Sequence, residues 1–241
     1  MKRYLVLPVV LVCSLFIFAQ NSANSGQLDA VLKKMDAMAA NFHSTQAEFE
    51  WQIYQKVIDE VEDVETGIIY YRKAAGGVEM MAAVSKAGLS KEALKPEPKF
   101  ILFSDNKVQL YQPKPDQVTV VDLGKGHSDY ESYVVLGFGG SGQEMLKNFD
   151  VSYVGPETLN GVATSKLKLI PKAEKVKSMY SEIYLWIDMD KGISVQQQFF
   201  QSQGDYKLAK YSNIQINGKK IPDDVFKLKT TSKTQIVTPH G

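Results

Sequence analysis

The chain has 241 residues, 44% of them hydrophobic and 23% charged, with 28 Lys and Arg against 27 Asp and Glu for a net charge of +1. That near-neutral balance excludes the basic footprint of a nucleic-acid binder, and a chain of this length can hold a sizeable core. A single cysteine excludes a disulfide framework.

The N-terminus, "MKRY" followed by "LVLPVVLVCSLFIFA", is a short basic start and an apolar run too short for a membrane span, ending in a small residue. It predicts a secretory signal peptide over residues 1–19, cleaved after Ala19, and an exported single-domain mature chain over residues 20–241. Removing Lys2 and Arg3 with the leader leaves 26 basic against 27 acidic residues, a net charge of −1. Cys13 lies inside the leader, so the mature chain holds no thiol. Acylation of Cys13 as a lipoprotein anchor is the minority alternative, because that processing favours a small residue where this chain has Val12.

After a polar linker, "QNSANSG", apolar residues recur at Leu28, Val31, Leu32, Met35, Met38, Ala39 and Phe42, the spacing of one helix face, with Asn24 or Ser25 as the expected cap. The period then changes to two. Phe49, Trp51 and Ile53 alternate with Glu48, Glu50 and Gln52, and the habit returns in segments from "TGIIYYR" to "YKLAKYSNIQIN" and "DVFKLK". About eleven strands are predicted, separated by turn formers such as Ser104-Asp105-Asn106, Asn160-Gly161 and Gln203-Gly204-Asp205. "DEVEDVE" reads as a solvated acidic turn, "IDMDKG" as a hairpin turn, and Lys86 to Lys99 as a loop with one helical turn. Short strands with turn-length links pair antiparallel, and a sheet this long with one apolar face curls or closes.

Gly137 to Gly142, "GFGGSG", fits the dinucleotide fingerprint G-x-G-x-x-G in letters. Only "QEMLKNF" separates it from the next strand, "DVSYVG", whereas a parallel crossover needs a dozen residues or more. The S-x-x-E boxes at Ser128–Glu131 and Ser141–Glu144 instead predict two short central helices, the first through Leu136 and the second through Phe149. Gly137, Gly139 and Gly140 then form a hinge between them. A serine-hydrolase elbow fails at Gln143, and His43, His127 and His240 show no partner spacing. No metal-ligand cluster stands out, so neither catalytic residues, a metal nor a cofactor is expected.

The opening "LDAVLKKMDAMAANFHSTQAEFEW", then "SDNKVQLYQP", "FDVSYVGPETLNGVATSKLKLIPK" and the closing "YSNIQINGKKIPDDVF" follow one another in an order that resembles the LolA/LolB-like lipoprotein carrier family. The resemblance implies an α+β fold that is mainly β: an unclosed antiparallel half-barrel lidded by the N-terminal helix and the two central helices. It implies a monomeric periplasmic carrier. Such a carrier takes acylated lipoproteins from an inner-membrane release complex to an outer-membrane acceptor, holding their acyl chains in a hydrophobic cavity. A non-transporting sensing module of the RseB type and an anchored LolB-like acceptor are the alternatives on the same fold.

Apolar residues at alternate strand positions, Trp51, Ile53, Phe103, Leu110, Leu169, Leu185, Ile187, Phe199 and Tyr211, are the candidates to line that cavity or to serve as ordinary core. Arg72 is the only arginine after the leader, and the family places an arginine early in the barrel that donates to lid-helix carbonyls. Arg72 is therefore the candidate lid latch, although Lys73 follows it where the family usually has proline.

Overall fold

The computed structural model describes residues 13–75, 77–124 and 136–239. Its framework is one twelve-stranded sheet in the order β12-β6-β5-β4-β3-β2-β1-β11-β10-β9-β8-β7, antiparallel throughout except where β12 joins β6. The first meander comprises β1 (Ser44–Gln55), β2 (Glu60–Ala74), β3 (Gly77–Gly88), β4 (Lys95–Ser104), β5 (Lys107–Gln112) and β6 (Gln117–Asp122). The second comprises β7 (Phe149–Leu159), β8 (Val162–Pro171), β9 (Glu182–Asp188), β10 (Ile193–Phe200) and β11 (Tyr206–Ile216). Pairing of β11 with β1, from Thr45 opposite Ile216 to Tyr54 opposite Tyr206, joins the two meanders. β7 is consequently one edge of the sheet and β12, lying outside β6, is the other, and the two edges are not paired.

Helix α1 (Cys13–Ala40) and the short α2 (Gly142–Asn148) lie on the second meander. Val31, Leu32 and Met35 of α1 and Met145 of α2 pack on Leu167, Leu169, Ile183, Leu185 and Ile187, so the apolar helix face meets the alternate residues of β8 and β9. The helices approach closely because a methyl at Gly142 would stand only 2.8 Å from the Leu32 backbone. None of the described helices is long and apolar enough to cross a membrane. The four-residue α3 (Glu174–Lys177) connects β8 to β9.

Several local expectations change. α1 runs unbroken through residues 20–27 rather than starting at a cap on Asn24 or Ser25, since that stretch is polar but lacks proline. "DEVEDVE" belongs mostly to β2, whose exposed end tolerates alternate acidic residues. "DVFKLK" is not a strand: Asp223–Phe226 is a 3-10 turn, and the last strand is instead β12 (Gln235–Val237). Of the Lys86–Lys99 stretch only the middle is a loop, with its helical turn at the 3-10 turn Lys91–Ala93; β3 continues to Gly88 and β4 begins at Lys95, where each finds a pairing partner in the other. "IDMDKG" is the β9–β10 turn, where Asp188 Oδ1 accepts from the N–H groups of Asp190 and Lys191. The first central helix, Ser128 to Leu136, and His127 lie outside the described residues apart from Leu136, which is in a turn.

Candidate ligand-binding site

Between β6 and β7, the described residues Leu136 to Ser141, which lead into α2, pack into the concave face. Phe138 is fully buried there, stacked on Tyr71 with ring centroids 4.9 Å apart and edge-on to Tyr211 at 4.4 Å. The glycines fit this plug rather than loosen it. Gly139, with φ +91°, leaves room for the Phe42 ring, and Gly137, with φ +77°, lies against Ser194 and accepts a 2.8 Å hydrogen bond from the Ser194 N–H. Ser141 caps α2 as its sequence predicts: its Oγ accepts from the Glu144 N–H at 3.0 Å, and α2 ends at Asn148, with Phe149 as its C-cap.

Beside the plug the concave face keeps a cavity of about 410 Å³. Trp51 and Ile53 of β1, Ile69 and Tyr71 of β2, Met80 of β3, Ile101 of β4, Phe199 of β10 and Tyr211 of β11 line it, with Gln52 and Lys207 also on its wall. Register explains the gathering. Trp51 stands opposite Glu65 and Ala209, and Ile53 opposite Asp63 and Lys207, so one parity of each strand faces inward. Burial holds the hydroxyls of Tyr71 and Tyr211 well above the ordinary tyrosine range, so both are neutral donors. The Tyr211 hydroxyl donates to Gln197 Oε1 at 3.2 Å, and the Gln197 amide donates to the Leu136 carbonyl. One buried glutamine thereby ties the plug to the cavity wall.

Of the nine cavity candidates, the structure brings Trp51, Ile53, Phe199 and Tyr211 together. Leu169, Leu185 and Ile187 are wholly buried beneath α1 and α2 and form core. Phe103 is buried and Leu110 half-buried, with neither on the cavity wall.

Arg72 lies elsewhere. Its neighbours Ile69 and Tyr71 face inward, and Arg72 pairs with Glu79 and Asp223 while its guanidinium sits 4.2 Å from the Phe226 ring centre. It therefore fastens the C-terminal segment to the back of the sheet, where Ile221 and Phe226 pack on Met81 and Leu102. The contact to a helix carbonyl comes from the next residue: Lys73 Nζ donates to the Ala39 carbonyl in the last turn of α1 at 3.0 Å. A cation is favourable at that helix end. Sequence reasoning missed Phe138, Gln197 and Lys73. For Phe138 the signal was present as the one aromatic residue inside a glycine run.

No curated protein matches the sequence. A family profile described only as an uncharacterized protein matches residues 140–238. Among solved structures, an uncharacterized conserved protein from Thermus thermophilus is similar at 12% identity and a TM-score of 0.52, over 87% of this chain and 97% of that one. MucB is similar at 12% identity and a TM-score of 0.51, over 88% of this chain and 66% of its own, so this chain spans about two thirds of the length of MucB. An outer membrane lipoprotein-sorting protein domain from Vibrio parahaemolyticus follows at 12% identity and a TM-score of 0.44, over 82% and 95%. Identities this low speak for the fold alone, and the fold shared with the Thermus thermophilus protein and with MucB is the expected one: an unclosed, mainly antiparallel half-barrel filled from its concave side.

Proposed function

We propose that the protein is a periplasmic carrier that holds the acyl chains of a lipoprotein or lipid in its concave cavity and moves them from inner to outer membrane without covalent chemistry. The observation that carries this reading is the apolar cavity of about 410 Å³ walled by Trp51, Ile53, Ile69, Tyr71, Phe199 and Tyr211. Burial of an acyl chain there gains about 0.8 kcal/mol per methylene, enough for tight, reversible holding. Ser141, the one hydroxyl of the glycine stretch, is engaged as a helix cap, which supports a non-enzymatic role. An inner-membrane release complex and an outer-membrane acceptor complete the proposed route.

The test is native mass spectrometry and lipid extraction of the mature protein purified from its own host, followed by transfer of labelled lipoprotein from inner- to outer-membrane vesicles. A bound acyl species that passes to the acceptor vesicles is the expected result. Protein that carries none, and takes none from lipoprotein-bearing membranes, overturns the reading. The same cavity would also serve a second reading, a module that binds a lipid or lipoprotein without handing it on. Binding with no transfer would select it.

A further inference from the structure

Next to the apolar cavity lies a second hollow of about 540 Å³, and Asp63, Glu65 and Lys99 belong to the walls of both. The second hollow is charged. Asp63, Glu65 and Glu97 supply three carboxylates to it, and Lys95, Lys99 and Lys114 supply three ammonium groups. Among the described residues, only Glu65 and Lys99 of these six form an ion pair with one another, and Asp63, Lys95, Glu97 and Lys114 form none. That pair is the partition between the hollows, with the Glu65 side chain 10% exposed and Lys99 26%. Burial lowers the proton affinity of Lys99, and the nearby charge of Asp63 opposes the effect. A pair desolvated to this degree is weak ballast for stability, and its charges gain from a ligand that supplies new partners.

We propose that the two hollows are halves of one site for a single-chain amphiphile with a zwitterionic headgroup, chain in the apolar cavity and headgroup in the charged hollow, with Glu65 and Lys99 parting to receive its ammonium and its phosphate. The inference rests on the cavity holding an acyl chain, and adds what is attached to it. The cavity volume lies near the lower end of the roughly 300–1,000 Å³ of small-molecule pockets, which favours one chain. Balanced charge sets the headgroup. An anion would satisfy the lysines and leave three carboxylates facing it, a cation would do the reverse, and only a molecule carrying both charges meets both sets.

Trp51 on the cavity wall provides the readout, with Trp186 on β9 replaced by Phe to leave a single indole. Full mature protein is titrated below micelle concentrations with palmitoyl lysophosphatidylcholine, palmitoyl lysophosphatidylglycerol, hexadecyltrimethylammonium and tail-less phosphocholine. The zwitterionic lipid is expected to bind about tenfold tighter than the anionic and cationic ones, and phosphocholine not measurably. Glu65→Gln is expected to shift the preference toward the anionic lipid by about tenfold. Lys114→Glu, a change that does not touch the buried pair, is expected to shift it toward the cationic one by a similar factor. Equal affinity for the three headgroups overturns the headgroup site while leaving the acyl cavity in place. Absence of binding by every palmitoyl or hexadecyl probe overturns both. Tight binding of phosphocholine alone reassigns the charged hollow to a free ligand and likewise overturns the proposal.

Discussion

At Gly139 a methyl group would stand 2.5 Å from the Phe42 ring, at a backbone angle that L side chains rarely adopt. Gly161 has a similar positive φ, +82°, but faces open space. The pair separates strain from packing. Gly161→Ala is expected to cost about 1 kcal/mol, whereas Gly139→Ala adds overpacking and is expected to cost about 3 kcal/mol, both read from urea unfolding midpoints. Gln197→Leu removes the amide that holds the Leu136 carbonyl and the acceptor for Tyr211, for an expected loss of about 2 kcal/mol. Hydrogen exchange of the amides of residues 137–140 should accelerate in that variant, and unchanged exchange would show that Gln197 does not hold the plug. At this scale the sequence was half legible. The period of two told which side chains share a face, and it placed Trp51 and Leu169 on the same one. It could not tell which part of that face α1 covers, and so could not divide lining from core. Arg72 stood out by scarcity, yet its parity against the inward-facing Ile69 and Tyr71 is what sends it to the back of the sheet.

Among the elements, the C-terminal segment was the least legible, because "DVFKLK" alternates like a strand while Pro222 opens a 3-10 turn. That turn is fastened by Arg72, whose hydrogen bond and charge hold the Asp223 carboxyl below the ordinary carboxylate range. The unfolded chain then binds this proton more readily than the folded one. The contribution of the pair is therefore present above the ordinary value and is lost as the pH falls through the depressed one. Limited proteolysis near residues 219–230 is expected to speed up as the pH drops below about 4, with an acid-active protease. Asp223→Asn is expected to show the faster cleavage already at neutral pH. Cleavage insensitive to both pH and the substitution would mean that Ile221 and Phe226 alone anchor the segment. The strands β1 to β11 were legible because each pairs with its sequence neighbour, apart from the β1–β11 junction, so turn residues and alternation suffice to find them. β12 was not, since three residues carry no period and the strand exists only by lying along β6.

For the molecule as a whole, ligand binding and stability are one measurement. An amphiphile that occupies the cavity of the folded state alone should stabilise it by about 2.7 kcal/mol at a hundredfold excess over its Kd, seen as a raised unfolding midpoint. A ligand that merely coats exposed apolar surface would lower the midpoint instead. Phe138 stands between Tyr71 of β2 and Tyr211 of β11, the two strands that flank β1 in the sheet. Its ring therefore ties the two meanders together across β1, in addition to the β1–β11 ladder. A guest that lifts Phe138 from between Tyr71 and Tyr211 would undo that tie, so the filling of the cavity would be felt in both meanders at once.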